Sequence, residues 1–199
     1  MDWQALSTEA GADGLARCWW CLDAPDYLDY HDQEWGRPVR DDRALFEILT
    51  LEAFQSGLSW LTILRKREGF RAAFAGFNVG AVAEFDEGDV GRLLEDASIV
   101  RHRGKIEGTI QNARATRDLQ LAGESLTDLL WGFAPDEDGR PVPARGGDLA
   151  SSTAESTALA KDLKRRGFRL VGPTTAHSVM EAAGLVNDHL AGCAFREVA

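Results

Sequence analysis

The chain has 199 residues, long enough for one sizeable core or two small domains. Its 44% hydrophobic and 27% charged content is that of an ordinary globular protein, and no run of about 18 apolar residues marks a membrane span. The net charge of −10 argues against a generally basic nucleic-acid-binding surface, and three cysteines fit a reducing cytoplasm better than a disulfide framework.

Taken in chain order, residues 1–16 are small and polar, lack the basic and apolar regions of a signal peptide, and read as a loose extension. Asp41 or Asp42 can cap a helix carrying Leu45, Phe46, Leu49 and Phe54, which Gly57 interrupts. Ser59 can cap the next helix, from Trp60 to Arg67. Asn78 and Asp86 are further caps, the second leading Val90, Leu93, Leu94 and Ala97. Lys105 to Leu121 and Ser125 to Phe133 read as helices. Residues 135–151, rich in Pro, Gly and Asp, read as a long loop. Ser152 and Glu155 have capping-box spacing and open a helix that stops at Gly167; Thr174 or Thr175 opens one more, ending near Gly184. No alternating strand pattern stands out, so the expected class is all-α.

Charge is uneven. Basic residues gather at 65–71, at 101–117 and at 161–169, and acidic ones at 84–96 and 136–138. Three basic clusters on an acidic chain could form one face, since local field outweighs net charge; the alternative is three solvated helix ends.

Cys18, His31, His189 and Cys193 are metal-type ligands at opposite ends of the chain. His189 and Cys193, four apart, would share one face of a helix, and with Cys18 and His31 they could close a tetrahedral site. The alternative is two buried cysteines and two surface histidines. Cys21 makes a CxxC with Cys18 and could compete with His31 as a ligand.

The segment from Leu163 to Thr174 joins two helices through a glycine-bounded turn. Gly167 can end the first helix left-handed, and Gly172 permits close approach ahead of a helix start whose amides bind anions. With Lys164, Arg165, Arg166 and Arg169 beside it, this looks like a phosphate-binding helix-hairpin-helix; the alternative is an ordinary helical hairpin with a wet basic side. Trp19, Trp20, Tyr27, Tyr30, Trp35 and Trp60 are many large rings for one chain, and Glu52 sits among apolar neighbours eight residues before Trp60. A carboxylate among rings can read the donor edge of a base while a ring stacks on it. On composition alone, a core of aromatics with Glu52 turned to water explains the same residues.

Five blocks together resemble the DNA-3-methyladenine glycosylase I family of the helix-hairpin-helix superfamily: residues 17–20, 30–36, 51–60, 101–106 and 184–189. The resemblance spans about residues 17 to 195. It implies an all-α fold in two lobes with a base pocket between them, so residues 17–199 are expected to form one glycosylase domain with its hairpin at about 155–184. It implies that Cys18, His31, His189 and Cys193 hold a structural zinc joining the N- and C-terminal segments. Glu52 and Tyr30 would hydrogen-bond the excised base, Trp60 would stack on it, and Trp20 would form another wall, with Tyr27 placed beside these rings. Gly57 and Leu58 match the turn that enters the gap in the duplex. Asp188 is expected to orient a zinc-bound histidine.

The implied activity is hydrolytic excision of a flipped 3-methyladenine from alkylated double-stranded DNA, releasing the free base, by a cytoplasmic monomer. The lysines are Lys66, Lys105, Lys161 and Lys164, none expected in the pocket, so no Schiff-base lyase step is expected. Three other readings stand beside it. A zinc hydrolase such as a nucleobase deaminase would need a glutamate that His31-Asp32-Gln33 lacks. A same-fold glycosylase of broader alkyl-purine range differs only in pocket volume. A non-catalytic zinc-clasped DNA-binding module would have no use for Glu52.

Overall fold

The computed structural model describes residues 2–136 and 140–198. Met1, Ala199 and residues 137–139 of the expected 135–151 loop, including Glu137 and Asp138 of the acidic cluster, lie outside the described residues. Ten α-helices dominate the described residues: α1 Pro25–Gln33, α2 Asp42–Gln55, α3 Trp60–Arg65, α4 Arg67–Ala73, α5 Val79–Ala83, α6 Glu87–Glu95, α7 Arg103–Leu121, α8 Leu126–Trp131, α9 Ala154–Arg165 and α10 Pro173–Ala182. None of them is long and apolar enough to cross a membrane.

Local chemistry sets most of the boundaries. The side chains of Asp41, Ser59, Asn78, Asp86 and Ser125 each accept a hydrogen bond from a first-turn amide, as their types suggest. The capping box of α9 is shifted by one residue from the expected Ser152/Glu155 pair: Thr153 caps, and Ser156 returns the bond. The expected helix from Trp60 to Arg67 breaks at Lys66, and α4 follows at once. His102 caps α7 through its ring, accepting from the Lys105 amide at 3.2 Å.

α2 is central, packing against α3, α7, α8 and α10. Leu51, Glu52, Ala53 and Phe54 are consecutive and all buried, so this helix end is enclosed on every side and the Glu52 carboxylate is largely withdrawn from water. One connected apolar core runs from Leu45 to Val186. A second, small cluster of Cys18, Leu190 and Cys193 sits at the joined termini.

The loose extension expected at the N-terminus is not observed for residues 2–16. Thr8–Ala10 (β1) pairs antiparallel with Ala16–Cys18 (β2), a short hairpin in an otherwise helical fold. The Gly146 amide donates to the Leu6 carbonyl at 2.8 Å, so the 140–151 segment packs on this region. A Cβ at Gly146 would lie 2.4 Å from the Trp3 carbonyl oxygen, so only glycine permits that approach. The Ala194 amide donates to Ala16 at 2.9 Å, tying the C-terminal segment to β2.

Candidate active site

The metal-type ligands converge. One donor atom from each of Cys18, His31, His189 and Cys193 lies within 4.8 Å of the others, and all four residues are buried. Cys193 Sγ is 3.5 Å from His31 Nε2 and 3.4 Å from His189 Nδ1, and Cys18 Sγ is 3.9 Å from His189 Nδ1. Tetrahedral bond lengths of about 2.0–2.3 Å require donor separations of about 3.3–3.8 Å; two of these three separations fall in that range, so the four residues could hold one four-coordinate ion. The Cys193 thiol is driven strongly down, first by its hydrogen bond with Cys18 and then by His189 and His31.

No helix carries His189 and Cys193, contrary to the spacing-based expectation. They lie in irregular chain after α10, closed by a turn in which the Cys193 amide donates to Leu190. Asp188 does not orient a ligand histidine either. Asp32 does, with Oδ1 at 2.8 Å from His31 Nδ1, which turns His31 Nε2 to the cluster. Asp32 is in turn held by buried Arg17, which also grips Asp13. Cys21 stays outside the cluster: its thiol donates to the Cys18 carbonyl at 3.1 Å, and burial raises its pKa to about 12.

A cavity of about 190 Å³ adjoins this clasp, lined by Trp20, Tyr27, Tyr30, Trp35, Glu52, Gln55, Trp60, Ser178 and Glu181. The aromatic residues therefore form a pocket, and Glu52 faces into it instead of water. α1 supplies Tyr27 and Tyr30, α2 supplies Glu52 and Gln55, the start of α3 supplies Trp60, and α10 supplies Ser178 and Glu181. Trp20 packs on Tyr27 at 4.9 Å between ring centroids, and Tyr30 on Trp60 at 5.3 Å. Burial pushes the Glu52 carboxyl up to about 8. Burial, with Glu52 adding to it, also holds the Tyr30 phenol well above its ordinary range, so it remains a hydrogen-bond donor. No lysine lines this pocket.

The pocket adjoins a groove of about 330 Å³ that shares Glu52, Gln55 and Ser178 with it and adds Ser56, Gly57, Leu58, Thr174 and Thr175. Gly57 turns the chain at φ +82° and leaves Leu58 exposed. Lys105 fixes this turn by donating to the carbonyls of Phe54 at 2.8 Å and Ser56 at 2.7 Å, which α2 would otherwise leave open at its end.

Across the groove stands the hairpin of α9 and α10. Gly167 has φ +91°, Gly172 caps α10, and Phe168 is buried as the anchor. Buried Asn112 of α7 clamps the turn, donating to the Arg169 carbonyl at 3.1 Å and accepting from its amide at 2.7 Å. Lys164, Arg165 and Arg169 are exposed. Arg165 pairs with Asp162, and Arg166 pairs with both Asp162 and Glu124 at 2.9 Å. The basic cluster at 65–71 is also engaged, Arg65 with Asp26, Arg67 with Glu34 and Arg71 with Glu47. Arg103 and Arg117 pair with Glu87 and Glu84.

Sequence alone assigned no site role to Asp32, Gln55, Lys105, Asn112, Ser178 or Glu181, although Gln55 and Lys105 lie in the blocks that carry the resemblance. Asp32 carried a signal, being the carboxylate next to a candidate ligand histidine. Glu181 carried a fainter one, an acid inside the apolar run Val179, Met180, Ala182 and Ala183.

Comparison with known proteins agrees with this geometry. Residues 20–197 match the family model described as methyladenine glycosylase. DNA-3-methyladenine glycosylase 1 of Escherichia coli is 46% identical over 179 residues, covering 90% of this chain and 96% of the relative. A crystal structure of 3-methyladenine DNA glycosylase I superposes with a TM-score of 0.85 at 49% identity, covering 89% of this chain and 98% of the other. A tyrosine-to-phenylalanine variant of another 3-methyladenine DNA glycosylase I, in complex with 3-methyladenine, superposes with a TM-score of 0.83 at 37% identity, covering 90% of this chain and 97% of the other. The helical fold, the terminal Cys/His cluster and these matches place the chain in the methyladenine glycosylase family.

Proposed function

We infer that this protein is a DNA glycosylase that excises 3-methyladenine from alkylated DNA by hydrolysing the N-glycosidic bond. The observation that carries this reading is the buried Glu52 carboxyl in a ring-lined pocket adjoining the Gly57-Leu58 turn and the α10 N-terminus.

An N3-alkylated adenine is cationic while attached to its sugar, so its glycosidic bond is already weak and little leaving-group protonation is needed. The enzyme selects and positions. The duplex docks on the hairpin through Lys164, Arg165 and Arg169, with the amides at the start of α10, after Gly172, facing a phosphate. Arg166 contributes less, because Asp162 and Glu124 already offset its charge. Leu58, on the turn at Gly57, enters the gap left by the flipped nucleotide. The base stacks on Trp60 against Trp20 and Tyr27, while Tyr30 donates to its edge. The cationic base favours the ionised form of Glu52, which ionises only near pH 8 in the empty pocket. That differential favours the alkylated base over neutral adenine. Water attacks C1′, and with no lysine in the pocket no covalent imine forms.

The Cys18, His31, His189 and Cys193 set is read as a structural zinc site. Bound zinc supplies a cross-link between the terminal segments and takes no part in the chemistry. None of Cys18, Cys21 and Cys193 forms a disulfide, which suits a reducing cytoplasm, and the protein is read as a monomer.

The test is incubation with methylated duplex DNA and chromatography of the released bases. Free 3-methyladenine, with no strand cleavage and no borohydride-trapped adduct, is the expected outcome. Absence of released base refutes the reading, and a spectrum of other alkyl purines assigns the broader range.

A further inference from the structure

The base pocket contains a second carboxyl, on α10, which packs against α2. α10 presents Ser178 and Glu181, three residues apart and hence on one helix face, to the cavity that Glu52 also lines. Glu181 has two further neighbours, His177 and Asp188, with one donor atom from each of the three within 4.8 Å of the others. Asp188 is buried and already engaged: Arg140 Nη2 donates to its Oδ1 at 2.6 Å, and His177 Nε2 lies 3.3 Å from its Oδ2. A carboxylate oxygen of Glu181 lies within 4.8 Å of one of Asp188, and Glu52 lines the same pocket.

Asp188 is held by Arg140 and His177, so the Glu181 carboxyl remains for the cavity that it lines. Burial first, then Asp188 and Glu52, hold that carboxyl well above the ordinary carboxylate range.

We propose that Glu181 is a further base-positioning residue, presenting a carboxyl oxygen from α10 as an acceptor to the amino edge of the alkylated base, in the pocket that Glu52 also lines. The proposal rests on the base-excision reading and deepens it. It divides the work of two carboxyls in one pocket. Glu52 has no counter-charge and is free to ionise against a cationic base. Glu181 stays neutral, so it accepts a hydrogen bond without opposing that ionisation. In this role it is equivalent to an amide carbonyl, and a glutamine can replace it.

The test measures binding of free 3-methyladenine, and of 3-methylhypoxanthine with a carbonyl where the amino group stands, by tryptophan fluorescence. Wild type, Glu181→Gln and Glu181→Ala are compared, with melting temperature and zinc content recorded for each. Glu181→Gln should bind 3-methyladenine within threefold of wild type. Glu181→Ala should bind it at least tenfold more weakly while its affinity for 3-methylhypoxanthine changes less than threefold. A merely structural role would weaken both ligands alike, and that result overturns the proposal. So does unchanged 3-methyladenine binding by Glu181→Ala, or a Glu181→Gln variant as weak as Glu181→Ala. A wild-type protein that neither binds nor releases 3-methyladenine overturns the excision reading itself. Wild-type binding with indifferent variants overturns this proposal alone.

Discussion

The backbone carbonyl oxygen of Trp35 lies 3.3 Å from His189 Nε2. His189 presents its other nitrogen, Nδ1, to Cys18 and Cys193, and the Trp35 ring lines the base pocket. One residue therefore orients a metal-type ligand with its main chain and walls the pocket with its side chain. Trp20 repeats the link, two residues from Cys18 in sequence and packed against His31 at 5.1 Å. The clasp and the pocket share a wall.

Metal removal should accordingly weaken base binding as well as stability. Chelation, or Cys193→Ser, is expected to remove one equivalent of zinc, lower the melting temperature on the order of 10 °C, and reduce 3-methyladenine binding. Metal analysis with differential scanning calorimetry and ligand titration measures all three. Full base affinity in the metal-free protein would show that the clasp does not shape the pocket.

Cys21→Ser should leave the zinc stoichiometry at one, because the Cys21 thiol bonds the Cys18 carbonyl and takes no part in the four-residue cluster. Cys18→Ser should lower it. Metal loss in Cys21→Ser would return Cys21 to the ligand set.

Glu52→Gln should reduce 3-methyladenine release by roughly 10²-fold, the scale for removing one charge-stabilising group. It should also change stability in a pH-dependent way. Glu52 ionises near its ordinary 4.5 when unfolded and near 8 when folded. Between those values the unfolded chain loses the proton while the folded protein keeps it. The Glu52 contribution is therefore fully present below about 4.5 and falls as pH rises to about 8. Relative to wild type, Glu52→Gln should gain on the order of 3 kcal/mol between pH 5 and pH 8, read from urea unfolding at each pH. A difference independent of pH would mean that Glu52 is not held protonated by burial.

Lys164→Ala and Arg169→Ala should each lower the slope of log affinity against log salt by about 0.9 on alkylated duplex. Arg166→Ala should change it less, since two acids already hold that guanidinium. Equal slopes for all three variants would mean that ion pairing within the hairpin does not set which residues reach phosphate.

Asn112→Ala should weaken DNA binding although Asn112 is buried and touches no DNA. Both of its bonds hold the Arg169 backbone, and their loss leaves buried polar groups unpaired at a cost of about 2 kcal/mol. Unfolding and DNA titration together test this. Stability loss with DNA affinity intact would confine Asn112 to the core.

The sequence by itself determined the features whose physics is local. Asp41, Ser59, Asn78, Asp86 and Ser125 cap helices because an Asx or hydroxyl side chain meets the first amides wherever the chain turns helical. That the four Cys/His residues converge, and that the rings share a pocket with Glu52, was legible because several spaced blocks carried a family resemblance together. Spacing misled where local geometry was assumed. His189 and Cys193 are four apart but not helical, and Asp188 neighbours His189 in sequence while its side chain turns to Arg140 and His177. Tertiary structure alone decided that Asp32 orients His31, that residues 8–10 pair with 16–18, and that Glu181 joins Glu52 in one pocket. It also decided which arginines are already neutralised by acids distant in sequence, such as Arg166 by Glu124. These outcomes depend on which long-range neighbour arrives at a side chain, and burial by those neighbours gives Glu52 and Glu181 their chemistry.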